Sequence, residues 1–206
     1  MRWALVIRAV LSCAAIGTAA VSAQAPARWL DQPLTAWNRA AAAIPASGIT
    51  ADARAALEKR CGSQVRLKPD TTSASVRLKA DTTAALRAAG WVPFLHLDQA
   101  IARGGIEVMG GMTAASPGCE PTPYNLFVFA GGTFAGTVSP TTMASSRDGA
   151  AGAVRILGPD AMTVEFARFI AGDSECCPSS RLRVTYRIDK TIAGPALVAT
   201  DLRQVR

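Results

Sequence analysis

Between about residue 91 and residue 200 the chain is a succession of short apolar or alternating runs, each closed off by Gly, Pro, Asp or Ser. This pattern constrains the fold most, because runs this short make poor helices on their own but serve well as strands. The cleanest covers residues 181–188, with Leu182, Val184, Tyr186 and Ile188 at one parity and Arg183, Thr185 and Arg187 at the other. A period of two places the first set on a core and the second in water. Residues 124–130 are apolar at both parities, Leu126 and Val128 against Phe127 and Phe129, as a strand covered on both faces must be. Gly131-Gly132 then permits a tight turn, and residues 133–139 return. Further strands are expected at 91–97, 106–109, 153–157, 162–169 and 196–200. Residues 98–103 read as a helical turn or two, and 110–123 as a long irregular connection.

The short spacing between runs makes neighbouring strands antiparallel. The expected fold is α+β: one antiparallel sheet of five to seven strands with short N-terminal helices packed on it. The alternative is a small β-sandwich or open barrel. The helices are placed at 35–45, where Pro45 stops the run, at 50–60 behind a Thr50 cap, and from Thr82 to about Gly90.

Ahead of this domain the chain divides into three. Residues 1–23 read as a signal peptide: Arg2 is basic, an apolar run follows, and Val21-Ser22-Ala23 ends on small residues, so cleavage falls after Ala23. Val10-Leu11-Ser12-Cys13 offers a rival lipobox that would leave a lipidated Cys13, and an uncleaved anchor is the third reading. Residues 24–61 are Ala/Pro-rich with short helices. Residues 62–83 form a flexible linker carrying a repeat, in which Val65-Arg66-Leu67-Lys68-Pro69-Asp70-Thr71-Thr72 returns as Val76-Arg77-Leu78-Lys79-Ala80-Asp81-Thr82-Thr83. Residues 84–206 make up the α+β domain.

Charge is as uneven as composition. Eight basic and three acidic residues lie between Arg54 and Arg87, and this one segment holds the whole positive excess left once Arg2 and Arg8 are removed. It contains no aromatic residue, which argues against nucleic acid as a partner, since phosphate binding of that kind pairs basic groups with stacking rings.

The ordered motifs carry a resemblance. Phe127-Val128-Phe129, Gly136-Thr137-Val138-Ser139-Pro140-Thr141-Thr142-Met143, Ser146-Arg147-Asp148-Gly149, Phe166-Ala167-Arg168-Phe169, Cys176-Cys177-Pro178-Ser179 and Val184-Thr185-Tyr186-Arg187-Ile188 together resemble the LppP/LprE lipoprotein family over about residues 91–200. The resemblance implies an exported envelope protein of unassigned activity. It adds no catalytic residue.

Candidate chemistry rests mainly on cysteine. Cys61, Cys119, Cys176 and Cys177 are an even set in an oxidising compartment, so disulfides are expected. Cys119 is favoured to bond one of the adjacent pair, Cys176 ahead of Cys177, with the other joined to Cys61 or free; a vicinal Cys176–Cys177 bond is the alternative that suits a redox role. His96, the sole histidine, sits in an apolar run and reads as packed rather than as a base. A metal site would need Cys119, Cys176, Cys177 and His96 to converge without a CxxC spacing. The acidic residues Glu107, Glu120, Asp148, Asp160, Asp173 and Glu175 are scattered, most of them in turns. Trp91, Phe94, Phe127 and Phe129 read as core, or as the lining of a ligand groove if one sheet face stays open.

The functional expectation is an exported, periplasmic or secreted binding module with no enzymatic activity and no cofactor. Its partner is an envelope protein or a small ligand, and membrane contact runs only through an N-terminal lipid or signal anchor. The rival is a thiol-redox enzyme centred on Cys176 and Cys177.

Overall fold

The computed structural model describes residues 28–62, 80–95, 101–174 and 176–205. The signal peptide, the Cys13 lipobox, the repeat up to Lys79, His96 and Glu175 lie outside the described residues.

Among the described residues, nine strands form two antiparallel sheets. The first holds β1 (Val92–Phe94), β2 (Ile101–Arg103), β3 (Ile106–Met112), β4 (Tyr124–Ala130) and β5 (Thr133–Thr137). Val92 of β1 lies opposite Met112 and Arg103 of β2 opposite Ile106, while β4 takes the whole other edge of β3. β1 and β2 therefore share one edge, and the sheet is four strands wide. The second sheet is the meander β6 (Ala151–Ile156), β7 (Ala161–Arg168), β8 (Ser180–Thr191) and β9 (Gly194–Val205).

This corrects the expectation of a single α+β sheet with five to seven strands. The chain is mostly β, with two short helices among the described residues, α1 (Ala51–Cys61) and α2 (Ala80–Ala88). Strand periodicity carries no signal for which sheet a strand joins. Residues 138–150, which begin inside the run expected to return at 133–139, hand the chain from one sheet to the other. The run at 98–103, expected as helical, contains β2, which pairs with β3.

β3 also runs through Gly110-Gly111, which were assigned to an irregular connection. Both glycines are required by close approach. A Cβ on Gly110 would lie 2.4 Å from the Phe94 ring on one face, and one on Gly111 would lie 2.8 Å from Phe127 and 3.1 Å from Trp91 on the other. Aromatic rings fill the space that side chains would take.

The main core lies between the sheets and joins Val92, Phe94, Val108, Leu126 and Val128 to Val164, Phe166, Val184, Tyr186 and Ile188. A second cluster of Leu86, Trp91, Met109, Phe127 and Phe129 covers the outer face of the first sheet, with Ile44 and Phe134 packed on it. This two-sided burial is what the apolar parity of β4 demands. α1 begins as expected, with the Thr50 hydroxyl accepting from the Ala53 amide at 3.2 Å. α2 starts before Thr82, which is buried.

The helix expected at 35–45 is absent. Residues 32–50 form an irregular strap instead, because their side chains bond to the sheets. Asn38 Nδ2 donates to the carbonyls of Thr137 and Leu197, each at 3.0 Å, and its Oδ1 accepts from the Thr137 amide at 2.9 Å. Trp37 Nε1 adds a bond to the Thr137 carbonyl at 3.0 Å. β5 and β9 lie side by side without pairing, so Asn38 supplies across this seam the bonds a ladder would otherwise make. Trp29 stands edge-on to both Trp37 and Phe166, which seats the strap on the core.

Candidate functional site

The residues that form the motif run are largely the joints of this architecture. Gly136 (φ +150°) leaves room for Asn38, whose carboxamide would lie 2.3 Å from a Cβ there. The Tyr186 hydroxyl, on the second sheet, donates to the Val138 carbonyl next to the first. Tyr124 makes the reverse tie, its hydroxyl accepting from the Ala151 amide at 2.9 Å. Burial is the main cause that lifts both phenols, Tyr124 from 10.0 to about 12 and Tyr186 well above its ordinary value. Asp148 accepts from Arg168 Nε and from the Phe169 amide, both at 3.0 Å, and Arg168 also reaches Asp31 at 2.8 Å. Burial pulls the Arg168 guanidinium down, but the bonds and charges of Asp31 and Asp148 outweigh it and leave the pKa raised. These groups hold strap and sheets together.

The open surface is elsewhere. The first sheet is covered on both faces, whereas the outer face of the second is wet. There the register sets Glu165, Arg183 and Arg203 side by side across β7, β8 and β9, with Arg155, Thr163, Thr185 and Asp201 in the next row. Arg181 and Arg187 extend the same face along β8. Glu165 is nearly buried beneath these side chains, 2.7 Å from Arg183 and 3.8 Å from Arg181. Arg203 pairs with Asp201 at 2.6 Å and Arg187 with Asp189. The Asp189 carboxyl is held below its ordinary range by the hydrogen bond from Arg187. Side chains of Arg181, Arg187 and Arg203 are 63%, 60% and 81% exposed, and among the described residues Arg155 has no ion pair. The face thus sets five guanidinium groups against three carboxylates.

Counting charge along the chain missed this face, because outside residues 54–87, with Arg2 and Arg8 set aside, basic and acidic groups balance. The signal was present in the parity of Arg181, Arg183 and Arg187, which a single-strand reading records without showing that Arg155 and Arg203 join them.

Cysteine pairing differs from the favoured expectation. Cys119 bonds Cys61, not Cys176, with Cα atoms 5.6 Å apart. Cys61, at the last turn of α1, is buried in the core, so the bond pins the helix to the 113–123 connection. Arg60 strengthens the same junction by donating to the Ala115 carbonyl at 2.9 Å. Cys176 and Cys177 bond each other in the exposed connector between β7 and β8.

Trp91, Phe94, Phe127 and Phe129 are each at most 4% exposed. Phe94 lies in the core between the sheets, and the other three lie under α2 and the strap, so none of them is on an open surface. Among the described residues no group of His, Cys, Asp or Glu is placed to hold a metal ion, and no helix is long and apolar enough to cross a membrane.

The LppP/LprE lipoprotein family model matches residues 108–191, from β3 to the end of β8. No curated protein and no solved structure matches the chain. The family match and the Cys61–Cys119 disulfide both fit an envelope or otherwise extracytoplasmic location.

Proposed function

We propose that the protein is a non-enzymatic interaction module of the cell envelope, and that the arginine-bearing outer face of the second sheet meets an acidic protein surface. The observation that carries this reading is the contrast between the two sheets: one is buried on both faces, and the other presents Arg155, Arg181, Arg183, Arg187 and Arg203 to solvent. Arginine offers a planar fork of donors that suits carboxylates, and a rigid sheet holds several forks at fixed spacing. The buried aromatics leave a small apolar ligand without a comparable surface.

Poly-L-glutamate serves as the probe. The expected result is binding that weakens as salt rises and that falls roughly three- to tenfold in the Arg181→Ala/Arg203→Ala double variant, since each exposed charge contributes a fraction of a kcal/mol to about 1 kcal/mol. Undiminished binding by that variant would transfer the activity to the basic stretch at 54–87 and overturn the reading. So would binding to anionic vesicles with none to poly-L-glutamate.

A further inference from the structure

The connector between β7 and β8 is tied at its neck and bare at its tip. The Asp173 carboxylate accepts from the amides of Ile170 at 2.9 Å and Ser179 at 3.0 Å, one on each side of the cysteines. The Cys177 amide donates to the Ser174 carbonyl at 3.0 Å, which closes the turn. Both Cys176 and Cys177 are exposed, whereas in the other disulfide Cys61 is 1% exposed and Cys119 is half-buried. The two bonds are therefore unequal in access to a dissolved thiol.

They are unequal in a second respect. Ser174 Oγ lies 3.3 Å from Cys176 Sγ, and a disulfide sulfur carries no proton, so the hydroxyl is the donor. Cys177 Sγ has no such partner among the described residues. A hydroxyl aimed at one sulfur of a pair stabilises negative charge on that sulfur, which makes it the better leaving group in exchange.

We propose that Cys176–Cys177 is a thiol-exchange site for low-molecular-weight thiols, opened by attack at Cys177 with Cys176 as the leaving thiolate. The incoming thiolate forms a bond to Cys177 Sγ as the Cys176–Cys177 bond breaks, and the electron pair of that bond stays on Cys176 Sγ beside the Ser174 hydroxyl. A second thiolate attacking the mixed disulfide releases the small-molecule disulfide. The protein is left with two thiols, one proton being taken from water for each thiolate that is neutralised. The small thiol is the reductant, and no further co-reactant is needed. This site is independent of the arginine face, and either can fail without the other.

The experiment treats the native full chain with reduced glutathione, quenches with iodoacetamide and locates the adducts by fragmenting the peptide between Cys176 and Cys177. The expected products carry glutathione on Cys177 and carbamidomethyl on Cys176, with Cys61–Cys119 intact. Ser174→Ala should slow opening about three- to tenfold, as loss of one ordinary exposed hydrogen bond implies, and even out the adduct between the two sulfurs. Ser174→Thr, which keeps the hydroxyl, should restore both rate and preference. An adduct shared equally in the wild-type protein, no adduct at all, or opening of Cys61–Cys119 at the same rate would overturn the proposal.

Discussion

Replacing Asn38 tests whether the strap closes the fold or merely decorates it. The side chain makes three bonds to buried backbone, two with Thr137 and one with Leu197, across a seam where β5 and β9 do not pair. At about 0.5–1.5 kcal/mol each, with the Thr137 amide and the Leu197 carbonyl losing their bond from Asn38 while Trp37 still serves the Thr137 carbonyl, Asn38→Ala should cost roughly 2–4 kcal/mol. That corresponds to a fall in Tm of about 5–15 °C for a chain of this size. Asn38→Asp is the sharper probe. It keeps the acceptor for the Thr137 amide but turns a carboxylate toward two carbonyl oxygens, so at neutral pH it should cost more than alanine. The introduced carboxylate has its pKa raised in the folded state, so the deficit should shrink as pH falls and the group takes up a proton that it can donate. Urea unfolding of the oxidised protein, followed by tryptophan fluorescence at neutral and mildly acidic pH, measures both. The account of the seam fails if Asn38→Ala lies within about 0.5 kcal/mol of wild type, or if Asn38→Asp is no worse than alanine at neutral pH.

Three further outcomes are expected. Gly110→Ala should destabilise by about 1–3 kcal/mol in urea unfolding, because its methyl would fall inside the Phe94 ring; an unchanged midpoint would mean that the ring has room to move. The chain's two tyrosines are both buried, so phenolate absorbance should not rise near pH 10.0 in the native protein. Their folded pKa values lie above the unfolded one, so this contribution to stability is full below about pH 10 and declines above it, toward about 12 for Tyr124. A spectrophotometric titration showing one normal tyrosine would contradict that burial. Cys61 and Cys119 lie 58 positions apart, a loop for which the chain-entropy model gives about 4 kcal/mol; Cys61→Ala/Cys119→Ala should lower Tm, and thermal melts under non-reducing conditions measure by how much.

Local elements were more legible than their assembly. The parity of residues 181–188, the double-sided apolarity of 124–130 and the Thr50 cap each act over a few positions, and each corresponds to a strand or helix end in the structure. What decides that there are two sheets is the route of residues 138–150. It depends on contacts such as Tyr186 to Val138, 48 positions apart, which leave no period behind. Gly110-Gly111 misled for a related reason: glycine commonly marks a turn, and only the rings of Phe94, Phe127 and Trp91 explain it inside a strand. The strap was misread because alanine content and a capping threonine favour a helix locally, while Trp37 and Asn38 find their partners about a hundred residues away. At the candidate site, one strand's arginines were visible and the face they share with β6 and β9 was not.

The strap also sets an order of events. Asn38 leaves the ribosome 159 residues ahead of Leu197, one of the two residues it must bond. Until β9 exists, Asn38 lacks one of its partners and the seat of the earliest described part of the chain is incomplete. Its tryptophans remain unsheltered through most of synthesis, open to chaperones and proteases alike. Whatever machinery delivers this protein handles a chain that cannot lock early, and the last strand to arrive lets the first segment close.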